Sequence, residues 1–329
     1  MIASVKCVPE QTRSKSITVD DPAVSELLKR RRAVEDHFAQ LGHTYRHGRV
    51  YRAFEHRVSR PALKLALQVA GIYSRGIENA LTPVLNKVPL FFPGLPTAWE
   101  GFQILHLSDF HIDGTPALAE TLVAVLESLR PDVCVLTGDY RFEDHGPSEA
   151  IYPLMRKVLS GIQSRFGVFG ILGNHDSSGM VSRLEELGIQ MLINEAAAIG
   201  PGSNPLWLIG VDDPFDYGCH DLERALDSVP SGGFKILLAH SPEIYREAEA
   251  AGIDLYLAGH THAGQIRIPG IGALRQNASC PRAYAAGHWR HLHMQGYTSA
   301  GVGCSSLPVR FGCPPEIALI ELKSDTGRG

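Results

Sequence analysis

Hydrophobic and polar positions along the chain fall into two regimes that meet at about Gly101. Before that point, apolar residues recur at Leu63, Leu67, Ala70, Ile77, Leu81, Val84 and Val88, the three-to-four spacing of a helix with one buried face. Pro83 is expected to bend or end that helix, because proline has no amide hydrogen to give a helix interior. The next stretch, Pro89 to Pro96, sets two phenylalanines between prolines and reads as an exposed apolar loop, one that covers the core or touches a lipid surface. Residues 1–28 are polar and weakly patterned.

After Gly101 the texture changes to short apolar runs separated by helix-like segments. The runs are Phe102 to Leu107, Val133 to Thr137, Val168 to Leu172, Leu206 to Val211, Lys235 to Ala239 and Asp254 to Ala258. Helical patterns lie between them at Pro116 to Leu129, Ala150 to Ile162 and Ser182 to Leu187. Such alternation is that of an α/β fold. The expected division is therefore a mainly helical, basic and amphipathic extension over 1–95, followed by an α/β domain over 96–329.

Composition narrows the classes. At 329 residues the chain suits one large domain with an extension, or two modest ones. Hydrophobic residues at 44% and charged residues at 20% exclude disordered and collagen-like classes. A formal net charge of -4 gives no global attraction to nucleic acid. Locally, Lys29 to Arg60 is a basic patch, with Arg30, Arg31, Arg32, Arg46, Arg49, Arg52, Arg57 and Arg60 opposed only by Glu35, Asp36 and Glu55. The six cysteines form no CxxC pair, which points to reduced thiols in a cytoplasmic setting. No run reaches the roughly 18 to 20 apolar residues of a membrane span, so a soluble or peripheral protein is expected.

Five of the apolar runs end, within a few residues, in groups that bind metals. They supply in turn Asp109 and His111, Asp139, Asn174 with His175, His240, and His260 with His262. Ligands leaving the carboxyl ends of neighbouring strands converge on one edge of a sheet. Asp109 and His111 stand two apart, as do His260 and His262, so on an extended backbone each pair faces the same way. Oxygen and imidazole donors suit borderline divalent ions such as Mn²⁺, Fe²⁺ or Zn²⁺. Gly138, Gly173 and Gly259 precede ligands and allow tight turns. Leaving His175 aside, the other seven donors exceed what one open-sided ion requires, and two ions sharing Asp139, one on each carboxylate oxygen, is the economical arrangement. Such a pair, about 3.5 to 4 Å apart, activates water for in-line displacement at phosphorus.

The order DFH, GDY, GNHD, AHSP and GHTH resembles the calcineurin-like metallophosphoesterase superfamily, over about Gly101 to Leu322. That resemblance implies a four-layer αββα sandwich, two mixed β-sheets flanked by helices. It implies Asp109, His111 and His262 on one metal, Asn174, His240 and His260 on the other, and Asp139 between them. It further implies a catalytic histidine at His175, with Asp176 as the carboxylate that orients it. Two divalent ions per chain are implied, Mn²⁺ foremost, with Fe, Zn²⁺ or Mg²⁺ as alternatives. The stretches LTGDY, VFGILGNHD, GVDDP, GHTHAGQIRIPG and LPVRFGCPPEIALIEL look like a bacterial branch related to membrane-associated phosphohydrolases, some of which cleave the pyrophosphate of UDP-2,3-diacylglucosamine. Where many members carry an Arg-Gly pair, this chain has Ser299, Ala300 and Gly301, so that arginine's contact does not carry over.

Three readings follow. A phosphodiester, phosphomonoester or pyrophosphate hydrolase for a small or lipid-linked substrate comes first, with the stretch 29–95 resting on anionic lipid. A nuclease comes second, with Lys29 to Arg60 holding phosphates along a strand, weakened by the lack of interleaved aromatic stacking motifs and by the acidic overall charge. A catalytically silent binding scaffold comes third, weakened by the completeness of the motif. His37, His43, His47, His56, His288, His291 and His293 follow no ligand spacing, although His291 and His293 are expected near the site-bearing end. The substrate loops are expected after Asp113, Asp139, Asp176 and Asp212 and within Arg275 to Tyr297. The oligomeric state stays open.

Overall fold

Continuous apolar runs, rather than alternating ones, are what strands need when both faces are covered. The computed structural model describes residues 22–40, 59–200, 204–273 and 277–325, and each predicted run is a strand within it. The first sheet contains β1 (Val84–Phe92), β2 (Gln103–Leu107), β3 (Val133–Leu136), β4 (Val168–Gly170), β5 (Ile189–Met191) and β14 (Glu316–Ser324), in the order β1-β14-β2-β3-β4-β5. The second contains β6 (Glu195–Ile199), β7 (Leu206–Gly210), β8 (Phe234–Leu238), β9 (Leu255–Ala258), β12 (Gly287–His291) and β13 (Met294–Thr298), in the order β12-β13-β9-β8-β7-β6, and β10 (Arg267–Ile268) and β11 (Gly272–Ala273) form a separate hairpin. Both are mixed. In the first, β14 runs antiparallel to β2; in the second, β6 and β12 run antiparallel to their neighbours.

The two-residue period of a strand sends successive side chains to opposite faces, and the core clusters obey it. Ile104, Val133, Val135, Leu206, Leu208, Ile236, Leu238, Leu255 and Leu257 meet between the sheets. Their sequence neighbours Leu105, Leu107, Cys134 and Leu136 face outward onto α4 (Leu118–Leu126) and α5 (Ile151–Ser160). Ile209, Leu237 and Tyr256 likewise face α6 (Leu222–Leu226) and α7 (Tyr245–Ala250). The result is four layers, helix on sheet on sheet on helix. Each fully buried leucine or isoleucine contributes about 1.5 to 3 kcal/mol, so these three clusters hold the parallel strands rigidly in register.

The expectation fails in one segment. The helix read from Leu63 to Val88 is two short helices, α2 (Arg60–Val69) and α3 (Tyr73–Ala80), followed by β1. Gly71, at φ +70°, breaks the helix between them, as a left-handed glycine does. Residues 84–92 instead pair with the whole of β14, from Val84 opposite Glu316 to Phe92 opposite Ser324. Leu90 and Phe92 are buried between the sheets while Phe91 is exposed, so only part of the expected apolar loop is uncovered. Pro89 is tolerated because β1 is an edge strand and an edge has amides to spare. The strand lies on the extension side of the expected boundary at residue 95.

Further upstream, α1 (Pro22–Gln40) packs through Leu28 into the cluster beneath the first sheet. Of the basic patch, Arg31 is fully buried rather than presented to solvent; Arg46, Arg49, Arg52 and Arg57 lie outside the described residues. His43, His47 and His56 lie outside them too, as do residues 1–21. Among the described residues no helix is long and apolar enough to cross a membrane, and Cys134, Cys219, Cys280, Cys304 and Cys313 are free thiols.

Candidate metal centre

In both sheets the central strands β2, β3 and β4, and β7, β8 and β9, run parallel, and their carboxyl ends open onto one shared place. The donors therefore come from two sheets facing each other, not from the edge of one. Asp109, His111 and His262 bring ligand atoms within 4.8 Å of one another, and so do Asp139, His240 and His260. Asn174 completes the second group: its Oδ1 lies 2.9 Å from His240 Nε2 and 2.9 Å from His260 Nδ1.

Asp139 stands between the groups through a single atom. Its Oδ2 is 3.5 Å from His111 Nε2 and 3.3 Å from His240 Nε2. Its Oδ1 accepts the backbone N–H of His175 at 2.7 Å. The expected use of one carboxylate oxygen per side is thus corrected: Oδ2 faces both groups and Oδ1 anchors the next loop.

The backbone that delivers these groups is strained. Asp109, His111, Asp139, His260 and His262 all have positive φ, at 53°, 40°, 58°, 69° and 50°. A left-handed conformation costs a non-glycine residue about 1 to 2 kcal/mol, and it persists only where the surroundings over-determine it. Here the ladder bonds continue past the strand ends: Asp109 N–H donates to the Gly138 carbonyl and His111 N–H to the Asp139 carbonyl, each at 3.0 Å. Neither pair is extended, as residues spaced two apart had been expected to be. The consequence shows at the GHTH loop, where His260 and His262 turn to different groups. Gly259 is required by contact: a Cβ there would lie 1.9 Å from Ser108 Oγ and 2.2 Å from Asp109 Oδ2.

The donor set matches a cation. His111 Nδ1 is held by the Arg141 carbonyl at 2.8 Å and His240 Nδ1 by the Thr137 carbonyl at 2.7 Å. A ring nitrogen bonded to a carbonyl carries the proton, so each Nε2 turns a lone pair inward. There the lone pairs meet carboxylate and amide oxygens, with His111 Nε2 only 3.1 Å from His262 Nε2. So many acceptors around one point need positive charge. The same demand acts on His240: burial opposes its charged form, but Asp139, Asp109 and Asp213 push it up to about 10. Burial, with the charge of Asp139, lifts the Asp109 carboxyl above its usual range. Burial would lift Asp139 too, but His240, His175 and His111 hold it well below that range. His262 is driven well below the usual histidine range by burial and by His111 and Arg310.

His175 and Asp176 behave differently from each other. The His175 ring packs edge-on to His111, centroids 4.7 Å apart, and its Nδ1 meets the Phe142 carbonyl at 2.6 Å. The Asp176 carboxylate accepts the backbone N–H groups of Asp139, Tyr140 and Gly173 at 2.7, 2.9 and 2.8 Å. Asp176 therefore ties the loops after β3 and β4 together, and it is the Phe142 carbonyl that orients the His175 ring. The chain reverses at Gly173 to Asp176, which turns the Asp176 side chain back toward its own strand end.

Several neighbours carried no motif. Phe142 lies edge-on to His111 at 6.2 Å, and Phe215 lies 5.0 Å from His260 on the other side. Asp216 accepts from Asn174 Nδ2 at 2.8 Å, and the Asn277 amide meets His260 Nε2 at 3.1 Å. All four fall in the loops expected to select substrate, but nothing in their identity marked them individually. Arg310 is fully buried and donates to the Ala300, Gly301 and Gly303 carbonyls, which occupies it as a structural brace. His291 and His293 are not at the site. The turn that holds His293 joins β12 to the start of β13, and β13 is parallel to β9, so the turn lies at the opposite end of the sheet.

Residues 102–264 match the calcineurin-like phosphoesterase family. The uncharacterized metallophosphoesterase YkuE of Bacillus subtilis is 30% identical over 244 residues, covering 70% of this chain and 82% of that protein. The phosphodiesterase YaeI of Escherichia coli is 29% identical over 230 residues, covering 67% and 82%. The Bos taurus transmembrane protein with metallophosphoesterase domain is 31% identical over 291 residues, covering 80% of this chain and 63% of that one.

Proposed function

This chain belongs to the calcineurin-like phosphoesterase family of hydrolases, and from that premise we propose that it is a two-metal phosphodiesterase or pyrophosphatase. The observation that carries the reading is the placement of Asp139 Oδ2 between two groups of inward-facing acceptors. Asp109, His111 and His262 would hold one divalent cation and Asn174, His240 and His260 the other, with Asp139 shared. Mn²⁺ suits this oxygen and imidazole set best, and Fe, Zn²⁺ or Mg²⁺ are the alternatives. Such cations, when bound, supply positive charge to phosphoryl oxygens and acidify water.

The protein's own groups do the rest. With its Nδ1 engaged by the Phe142 carbonyl, His175 exchanges a proton through Nε2, and we assign it as the acid that protonates the leaving oxygen. Asp176 acts by fixing the loops that carry Asp139 and His175. The half-buried Phe142 and Phe215 flank the two groups and favour a substrate with an apolar or aromatic portion beside the phosphate, such as a diester or a nucleotide or lipid pyrophosphate. The YaeI relative, named a phosphodiesterase, supports the diester.

Membrane contact is a further part of the proposal. Leu63, Leu65 and Val69 of α2, with Ile72, are exposed, as are Ile268 and Ile271 of the hairpin that follows the GHTH loop. Leu67 of α2 packs with Leu307 and Val309, and Ile266, at the start of the hairpin, packs against the same cluster. A cytoplasmic protein resting on the inner membrane fits this surface. The deciding experiment is a screen of monoesters, diesters and pyrophosphates on metal-reconstituted protein. His175→Ala is expected to lower kcat by about 10²- to 10⁴-fold while retaining metal, and Asp139→Asn to lose both metal and activity. Full turnover by Asp139→Asn would refute the two-metal reading.

A further inference from the structure

Behind the centre, a polar network reaches out of the family-matched residues. Asn174 presents Oδ1 to His240 and His260, and its Nδ2 donates to Asp216 Oδ2 at 2.8 Å. That second bond fixes the amide with its oxygen, the end able to hold a cation, facing inward. Two loops therefore set Asn174: its own, and the loop after β7 that carries Asp216.

Arg31 of α1 joins them. Its side chain is fully buried, and Nη2 donates to the carbonyls of Gly173 and Asp176, on either side of Asn174 and His175, at 2.7 Å each. Nη1 donates to the Asp212 carboxylate, and the guanidinium lies 4.0 Å over the Tyr217 ring. Asp212 Oδ1 accepts Asp213 N–H at 2.7 Å, and Asp213 Oδ2 accepts the N–H groups of Asp216 and Tyr217 at 2.7 and 2.8 Å. The fork of one arginine thus braces Asn174's own loop directly and the Asp216 loop through two carboxylates. Two anchors of helix α1 do not involve Arg31: Leu28 is in the core and Arg30 donates to the Gly218 carbonyl at 2.9 Å; Glu35, which accepts Ser178 N–H and Oγ–H at 2.7 and 2.8 Å, also accepts Arg31 Nε–H at 3.2 Å and so belongs to the same brace.

Docking α1 needs no buried charge, and a guanidinium taken from water is costly unless its donors are satisfied in place. We propose that Arg31 is a positioning residue for Asn174, and that the N-terminal helix is a built-in part of the metal centre. This rests on reading Asn174 as a ligand. The brace sets the affinity of the cation that Asn174, His240 and His260 hold, and the other cation depends on it less.

The test is calorimetric titration of chelator-stripped, full-length protein with Mn²⁺. Wild type, Arg31→Ala, Arg31→Lys, Asn174→Ala and the double variants of Asn174→Ala with each Arg31 change are compared. Two sites are expected in wild type. One of them should weaken by about tenfold or more in Arg31→Ala, as for other partners of metal ligands, and by less in Arg31→Lys. On the Asn174→Ala background neither Arg31 change should add a further loss, because the two residues act as a unit. If Arg31→Ala fails to fold, Arg31→Lys and its double variant decide the matter. Two sites of wild-type affinity in the Arg31 variants would overturn the inference, as would losses additive with Asn174→Ala. Absence of two sites in wild type would instead remove the parent reading.

Discussion

His240 shows how a single side chain records the demand for positive charge at this centre. Beside the carboxylates of Asp139, Asp109 and Asp213 its imidazole is pushed up to about 10, above the ordinary value of about 6.5. A group with a raised folded value contributes stability that is complete below its unfolded value and lost as pH rises through the folded one. Asp109, Asp176 and Asp213, all raised chiefly by burial, act in the same direction, each losing stability as pH rises from its unfolded value of about 4. The thermal midpoint of chelated protein is therefore expected to fall between about pH 6.5 and pH 9, and that of metal-loaded protein to fall less. Metal binding at pH 7.5 should also release a proton, seen as a binding enthalpy that changes with the buffer's ionisation heat. A chelated midpoint that rises across this range would count against the assignment. At Gly259 the constraint is steric instead. Gly259→Ala pushes a methyl group onto Ser108 and Asp109, so bound manganese should drop below that of wild type; normal uptake would show that the loop yields.

At the scale of elements, the strands that end in ligands were legible because they are buried on both faces, and an apolar run bounded by glycine leaves little else to choose. The elements that misled are half-covered. Residues 84–92 alternate as an edge strand does, yet a few apolar positions also fit a helical period, and only pairing with β14, more than 200 residues away in sequence, decides between them. Arg31 was unreadable for a related reason: within a run of three arginines nothing distinguishes the one whose partners are Gly173, Asp176 and Asp212. The apolar face of α2 makes its own prediction. Full-length protein should co-sediment with anionic vesicles, and Leu65→Asp with Val69→Asp, at positions 61% and 81% exposed, should leave it in the supernatant with esterase activity on soluble substrates unchanged. Equal recovery of both proteins in the supernatant would eliminate the membrane contact.

For the whole molecule, the order of motifs was enough to foresee which residues gather, because convergence follows from parallel strands whose carboxyl ends share one opening. It was not enough to foresee how they gather. The sharing of Asp139 through one oxygen, the divergence of His260 from His262, and the capture of Asp176 by backbone amides all depend on left-handed residues and loop closures that no spacing rule encodes. Two sheets, an N-terminal helix and a set of strained turns together hold lone pairs closer than they would rest unaided, and that arrangement is the physical basis of the hydrolase reading. It is tested most directly by anomalous diffraction at the manganese edge from crystals of the full-length protein grown with Mn²⁺. Two peaks about 3.5 to 4 Å apart, one beside Asp109, His111 and His262 and the other beside Asn174, His240 and His260 with Asp139 between, are the expected result. A map with no peak among these seven residues, at metal concentrations that support turnover, would contradict it.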